Sequence, residues 1–238
     1  MQTIKTLLKN YEYPGRGIIL GLNKSKTNFF LAYFITGRSE NSKNRILIED
    51  EFNNIKTRLF KKQDTINEDL IIYTAVTKFK DLTIISNGSQ TDTILNGIKN
   101  NKTFVESLKD TQFEEDPPIY TPRISAMLNL NNKTIKYEMS IIKTDEKNSN
   151  ITKRFYFEYD NPLGEKGHII HTYKPKENNL THSYYGEPEE IIIPQDFDEF
   201  TNSIWDSLNE KNKISLFTKS IEIETKKEKL SIINKNYS

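Results

Sequence analysis

Three polar segments carry more arginine, asparagine and hydroxyl groups than ordinary turns need. Residues 36–45, Thr36-Gly37-Arg38-Ser39-Glu40-Asn41-Ser42-Lys43-Asn44-Arg45, come directly after an apolar run. Arginine offers a forked set of donors suited to phosphate, and asparagine and serine can orient a ribose or a base edge. The same letters equally describe a solvated loop. Residues 86–93, Ser86-Asn87-Gly88-Ser89-Gln90-Thr91-Asp92-Thr93, stand between a predicted strand and a predicted helix. Unpaired backbone N–H groups at such a junction make an anion site, while capping and a tight Asn-Gly turn account for the same residues without a ligand. Residues 114–126 join the acidic Glu114, Glu115 and Asp116 to Arg123, with Pro117, Pro118 and Pro122 stiffening the approach.

Other signatures fail on their spacing. Gly15, Gly17 and Gly21 are one residue too widely spaced for a dinucleotide fingerprint, and Gly17 opens a predicted strand rather than a helix. They read better as turn and bulge glycines. His168 and His171 lie at odd separation on a predicted strand, so their side chains leave opposite faces and a shared metal is not expected. No glycine-rich loop ends in Lys followed by Ser or Thr, which removes a P-loop mechanism. With no cysteine in the sequence, disulfides, thiolate metal sites and a cysteine nucleophile are excluded.

The elements that must carry these segments are mostly strands. Apolar runs at 17–22 and 29–36 flank Asn23-Lys24-Ser25-Lys26 and predict a hairpin. Residues 45–49, 70–77 and 82–86 repeat the β-branched and aromatic pattern. The period then changes: Ile94, Leu95 and Ile98 predict a helix from an N-cap at Thr91, and Phe104, Val105 and Leu108 an inward-facing second one from Thr103. Strands are expected again at 123–130, 134–142, 153–159 and 167–173. Asp196, with Glu199 three residues on and Phe197, Phe200, Ile204 and Leu208 at helical spacing, predicts a further helix. Residues 211–218 read as another short helix, and Ile221 and Ile223 as part of an edge strand. Many strands with a few grouped helices predict an α+β layered fold.

The chain has 238 residues, with 34 Lys and Arg against 33 Asp and Glu. One domain over residues 1–238 is the expectation. So nearly neutral a chain has no general attraction for nucleic acid or an anionic membrane, and phosphate binding must be local. No basic, apolar leader opens the sequence, and no apolar stretch nears the roughly 18 residues of a membrane span, so a cytoplasmic location is expected.

Taken in order, YPGRGIILG at 13–21, YFITGRSENSKNR at 33–45, SNGSQTDTI at 86–94 and YTPRISA at 120–126 resemble the archaeal-type IMP cyclohydrolase family. GHIIHTY at 167–173 and YYGEP at 184–188 are closer to the longer bacterial relatives than to the compact archaeal forms. The resemblance implies a four-layer αββα sandwich like that of N-terminal-nucleophile hydrolases. That fold usually hosts a Cys, Ser or Thr nucleophile, whereas Tyr13-Pro14-Gly15-Arg16 offers none of the three. The cyclohydrolases use no covalent nucleophile, so the two facts agree.

The activity implied is closure of 5-formamidoimidazole-4-carboxamide ribotide to inosine monophosphate and water in purine biosynthesis, with no cofactor and no metal. The resemblance assigns Arg45 and Tyr73 to the reacting groups and Glu114 to proton transfer or orientation. Tyr73 equally reads as a core tyrosine, and Glu115 can stand in for Glu114. Arg38, Asn44, Asn87, Gly88, Thr91 and Arg123 are its candidates for phosphate, ribose and base contacts, with the phosphate-holding arginine left open. The expected partners are a purine ribonucleotide substrate and product; homo-oligomerisation stays open. Two other functions are kept beside this one: an enzyme of the same fold acting on another purine ribotide or amide, and a nucleotide-binding protein without turnover.

Overall fold

The computed structural model describes residues 2–62, 71–131, 135–146, 148–175 and 182–237. Along the chain run β1 (Gln2–Thr3), α1 (Ile4–Lys9), β2 (Arg16–Leu22), β3 (Asn28–Thr36), α2 (Glu40–Lys43), β4 (Arg45–Glu49), β5 (Ile55–Leu59), β6 (Thr74–Phe79) and β7 (Leu82–Ser86). Then follow α3 (Gln90–Lys99), α4 (Phe104–Leu108), β8 (Arg123–Leu130), β9 (Ile135–Thr144), β10 (Thr152–Asp160), β11 (Lys166–His171), β12 (Glu189–Ile192), α5 (Phe197–Trp205), β13 (Lys213–Glu222) and β14 (Glu228–Asn234). The fold is mixed α+β and mostly sheet. Among the described residues there are two seven-stranded sheets, one ordered β1-β12-β11-β2-β3-β13-β14 and the other β10-β9-β8-β7-β6-β5-β4.

The two-residue period of a strand explains the core. On β2 and β3, Ile18, Leu20, Leu31, Tyr33 and Ile35 pack with Ile85, Ile124, Ala126 and Met139 of the other sheet. Their neighbours Ile19, Phe30, Ala32 and Phe34 turn the other way and pack on Leu7, Leu8, Phe200 and Ile204 of α1 and α5. Covered on both faces, these strands read as unbroken apolar runs. The second sheet does the same with Ile84, Met127 and Ile142, which meet Ile94, Phe104 and Leu108 of α3 and α4. Gly17 faces Phe34 across the strand pair, and a Cβ there would meet that ring at 2.1 Å. Gly17→Ala therefore displaces a fully buried phenylalanine, whose burial stabilises by about 1.5–3 kcal/mol.

Several boundaries depart from the sequence-based expectation. Residues 211–218 do not form a helix; most of them enter β13, which pairs with β3 on one side and β14 on the other, so Ile221 ends an interior strand rather than an edge. Within so short a window helical and extended spacing look alike, and only the long-range pairing separates them. The N-cap position of helix α3 is Ser89, whose side chain makes no capping hydrogen bond, and Thr91 lies inside the first turn. Thr103 does cap α4, in a capping box with Glu106, but Val105 points outward at 40% exposure. Asp196 caps α5 by accepting from the Asp198 and Glu199 N–H groups. Residue 70 of the expected strand 70–77 and residue 134 of the strand 134–142 lie outside the described residues. Among the described residues no helix is long and apolar enough to cross a membrane.

Candidate functional site

Between the ends of the two sheets lies a sealed group of charges and phenols. Arg16, Tyr33, Arg45, Tyr73 and Glu114 are each at most 9% exposed. Arg16 opens β2 after a turn that needs glycine: Gly15 has φ +77°, and a Cβ there would strike Thr172 and Tyr173. The Arg16 N–H then donates to Thr172 Oγ1 at 3.2 Å. Its guanidinium stands 3.7 Å from the Glu114 carboxylate. Tyr73, just ahead of β6, is fixed by reciprocal bonds with Thr57, and its hydroxyl lies 2.6 Å from that of Tyr33.

Glu114 is held by the loop rather than by a strand. Its N–H donates to the Thr121 carbonyl, and Asp116 accepts from both the N–H and the hydroxyl of Thr121. With its proton given to Asp116, the Thr121 oxygen accepts from Tyr173, whose hydroxyl is 2.7 Å away. The loop carrying Glu114 is thereby pinned to the first sheet. Glu115, by contrast, is exposed and lines a separate open cleft of about 740 Å³ with Gln90, Lys102 and Arg123. The two neighbouring glutamates thus face different surroundings.

The electrostatics of the group follow from burial. Desolvation holds the Glu114 carboxyl above its ordinary range, against the pull of Arg16, Arg123 and Arg45. Arg45 is pushed downward by burial and then by Arg16, while Tyr73, Tyr33 and Glu114 favour its charge. An arginine so placed is still cationic at neutral pH. Two arginines against one glutamate leave net positive charge inside the protein. The Arg45 Nε–H is buried and has no hydrogen-bond acceptor among the described residues. A buried donor without a partner is costly, and a ligand oxygen would satisfy it.

The remaining residues singled out in the sequence surround this group at different depths. Asn87 and Thr91 are fully buried: the Asn87 amide donates to the Pro122 carbonyl and accepts from the Ile124 N–H, and Thr91 shares a 2.5 Å hydroxyl contact with Ser86. Gln90 bridges Asn87 to Arg123 Nη1. Gly88 leaves the space that Arg123 occupies, since a Cβ there would lie 2.3 Å from Nη1. Residues 86–91 therefore act together as a bracket for Arg123. Arg38 is exposed and sits 4.3 Å over the ring of Tyr13, which stacks on Tyr173. Asn44 binds the backbone of Lys61 through both ends of its amide. His168 and His171 keep different company, His168 with Tyr137 and Tyr159, His171 with Tyr11 and Glu189.

Sequence reasoning missed Arg16, Tyr33, Thr121 and Tyr173 as parts of the site. The signal for the first two is a polar group inside an apolar strand, which must find a partner when buried. A family model described as IMP cyclohydrolase-like protein matches residues 13–227. That span takes in every residue of the buried group. A search of curated proteins gave no match.

Proposed function

The chain belongs to the IMP cyclohydrolase-like family, and on that premise we propose that the buried group closes the ring of 5-formamidoimidazole-4-carboxamide ribotide to give inosine monophosphate and water. The observation that carries the reading is the orphaned Arg45 Nε–H, a sealed donor in a positively charged setting that also holds a carboxyl and a phenol pair.

The reaction joins two groups of one molecule, so positioning supplies much of the acceleration. The carboxamide nitrogen attacks the formyl carbon, and charge gathers on the formyl oxygen. Arg45 stabilises that oxygen through its free N–H. One proton passes from the attacking nitrogen to the oxygen, giving a carbinolamine. The hydroxyl then leaves as water while the C=N bond forms and the former formamide nitrogen gives up its proton. Glu114, whose carboxyl burial holds above its ordinary range, suits both directions of transfer. Arg16 holds its carboxyl in place, and Tyr33 orients the Tyr73 hydroxyl toward the reacting groups.

In this reading the two sheets with α1 and α5 on one side and α3 and α4 on the other form a four-layer αββα sandwich of the N-terminal-nucleophile-hydrolase kind. The three separate apolar clusters support it. Arg123 and Arg38, on the side of the group nearer solvent, are the candidates for the ribose and phosphate end. The test is to incubate the purified full chain with the formamido ribotide and follow inosine monophosphate by absorbance. No product above the uncatalysed rate would overturn the assignment.

A further inference from the structure

A second charged cleft opens on the same rim of the sheets. Arg123 at the start of β8 pairs with Ile142, one residue before Lys143 near the end of β9. Tyr173, bonded to Thr121 across the sheets, is followed directly by Lys174. Lys143 and Lys174, with Lys153, Phe155, His182 and Tyr185, line a cleft of about 570 Å³.

The charges here are poorly matched. The Lys143 side chain is only 4% exposed, yet its one ion pair among the described residues is to Glu146 at 3.4 Å, and the Glu146 side chain is 63% exposed. Burying an ammonium calls for a better partner. Lys174 makes no ion pair among the described residues; its Nζ rests 3.5 Å from the centre of the Tyr185 ring, with the Lys143 Nζ 5.7 Å from the same ring. Lys153 is already matched by Asp145. Two ammonium groups thus converge on Tyr185; the carboxylates of the cleft are Glu146, which is solvent-exposed, and Asp145, held by Lys153, and Lys174 also lies within electrostatic reach of Glu189.

We propose that this cleft binds a phosphate monoester, with Lys143 and Lys174 as the cations that flank it. A phosphate dianion carries two negative charges and divergent oxygens for two separated ammonium groups, one charge more than the Glu146 carboxylate. Phe155 and Tyr185, 39% and 52% exposed, offer ring faces to the rest of the ligand. The phosphate belongs either to the ribotide itself or to a second phosphorylated molecule.

The experiment is a calorimetric titration of inorganic phosphate into the full chain, which needs no turnover and so stands apart from the ring-closure reading. Saturable binding is expected, weakened at least about tenfold in Lys174→Gln and in Lys143→Gln and kept in Lys174→Arg. Circular dichroism checks the fold of each; the half-buried Lys174 position carries the test if the Lys143 variant does not fold. Repeating the titration with saturating inosine monophosphate separates the sources: displacement assigns the cleft to the ribotide's own phosphate, and simultaneous binding to a second molecule. No saturable binding, or the same affinity in both glutamine variants, overturns the proposal.

Discussion

Arg16 and Glu114 face each other across 3.7 Å with side chains 9% and 5% exposed, a charge pair between the start of β2 and the loop ahead of β8. Removing Arg16 leaves the Glu114 carboxyl without its counter-charge in a low-dielectric interior. Arg16→Met is therefore expected to cost about 3–5 kcal/mol of stability. The double variant Arg16→Met/Glu114→Gln should regain much of that loss while remaining inactive. Urea unfolding of the two variants checks this, and a double variant no more stable than Arg16→Met would contradict it.

The raised Glu114 carboxyl gives a pH dependence with a definite sign. Stability that depends on its proton is fully present below the ordinary glutamate value of 4.5 and is lost as pH rises through the raised value. Glu114→Gln keeps a neutral amide at every pH. The variant should match the wild type below pH 4.5 and be the more stable of the two near neutrality. Melting temperatures across that range decide it; a variant less stable at pH 7 than at pH 4 relative to wild type would show that the carboxylate is favoured instead.

Thr121 connects Tyr173 to Asp116 and so sets the height of Glu114. Thr121→Val removes the hydroxyl between them while nearly keeping the shape. A displacement of the loop on the scale of an ångström should lower kcat on the order of tenfold to a hundredfold. The pH profile should move with it, because the burial of Glu114 changes. Unchanged kcat with an unchanged profile would remove Thr121 from the positioning network.

What the sequence showed and hid follows from where each residue lies. β2 and β3 were legible because both faces are buried, and α5 because Asp196 and its apolar stripe agree. β13 was hidden, since its polar Ser215, Thr218, Lys219 and Ser220 are buried at the interior of a sheet, where no local period announces them. β12, only four residues long, carries too few to show a pattern. Arg45, Tyr73 and Glu114 came from the family resemblance and fall within electrostatic reach of one another. Arg16 lay in plain view in the quoted YPGRGIILG stretch, but only its contact with Glu114, nearly a hundred residues away, marks it as part of the site.

Gly88→Ala tests the bracket around Arg123. A methyl group 2.3 Å from Nη1 pushes the guanidinium off Gln90, and the backbone at Gly88 needs no left-handed conformation, so the fold should survive. KM for the ribotide should rise by about tenfold with little change in kcat, as expected when binding common to ground and transition states is lost. A fall in kcat at constant KM would place Arg123 at the reacting end.

If Arg45 serves the transition state through its Nε–H, its loss falls on turnover rather than on binding. The measurement is steady-state ring closure by Arg45→Leu beside direct binding of inosine monophosphate to the same folded protein. A kcat lowered on the order of a hundredfold or more is expected, with product affinity changed far less. Near-normal kcat with greatly weakened product binding would contradict it and make Arg45 a phosphate clamp.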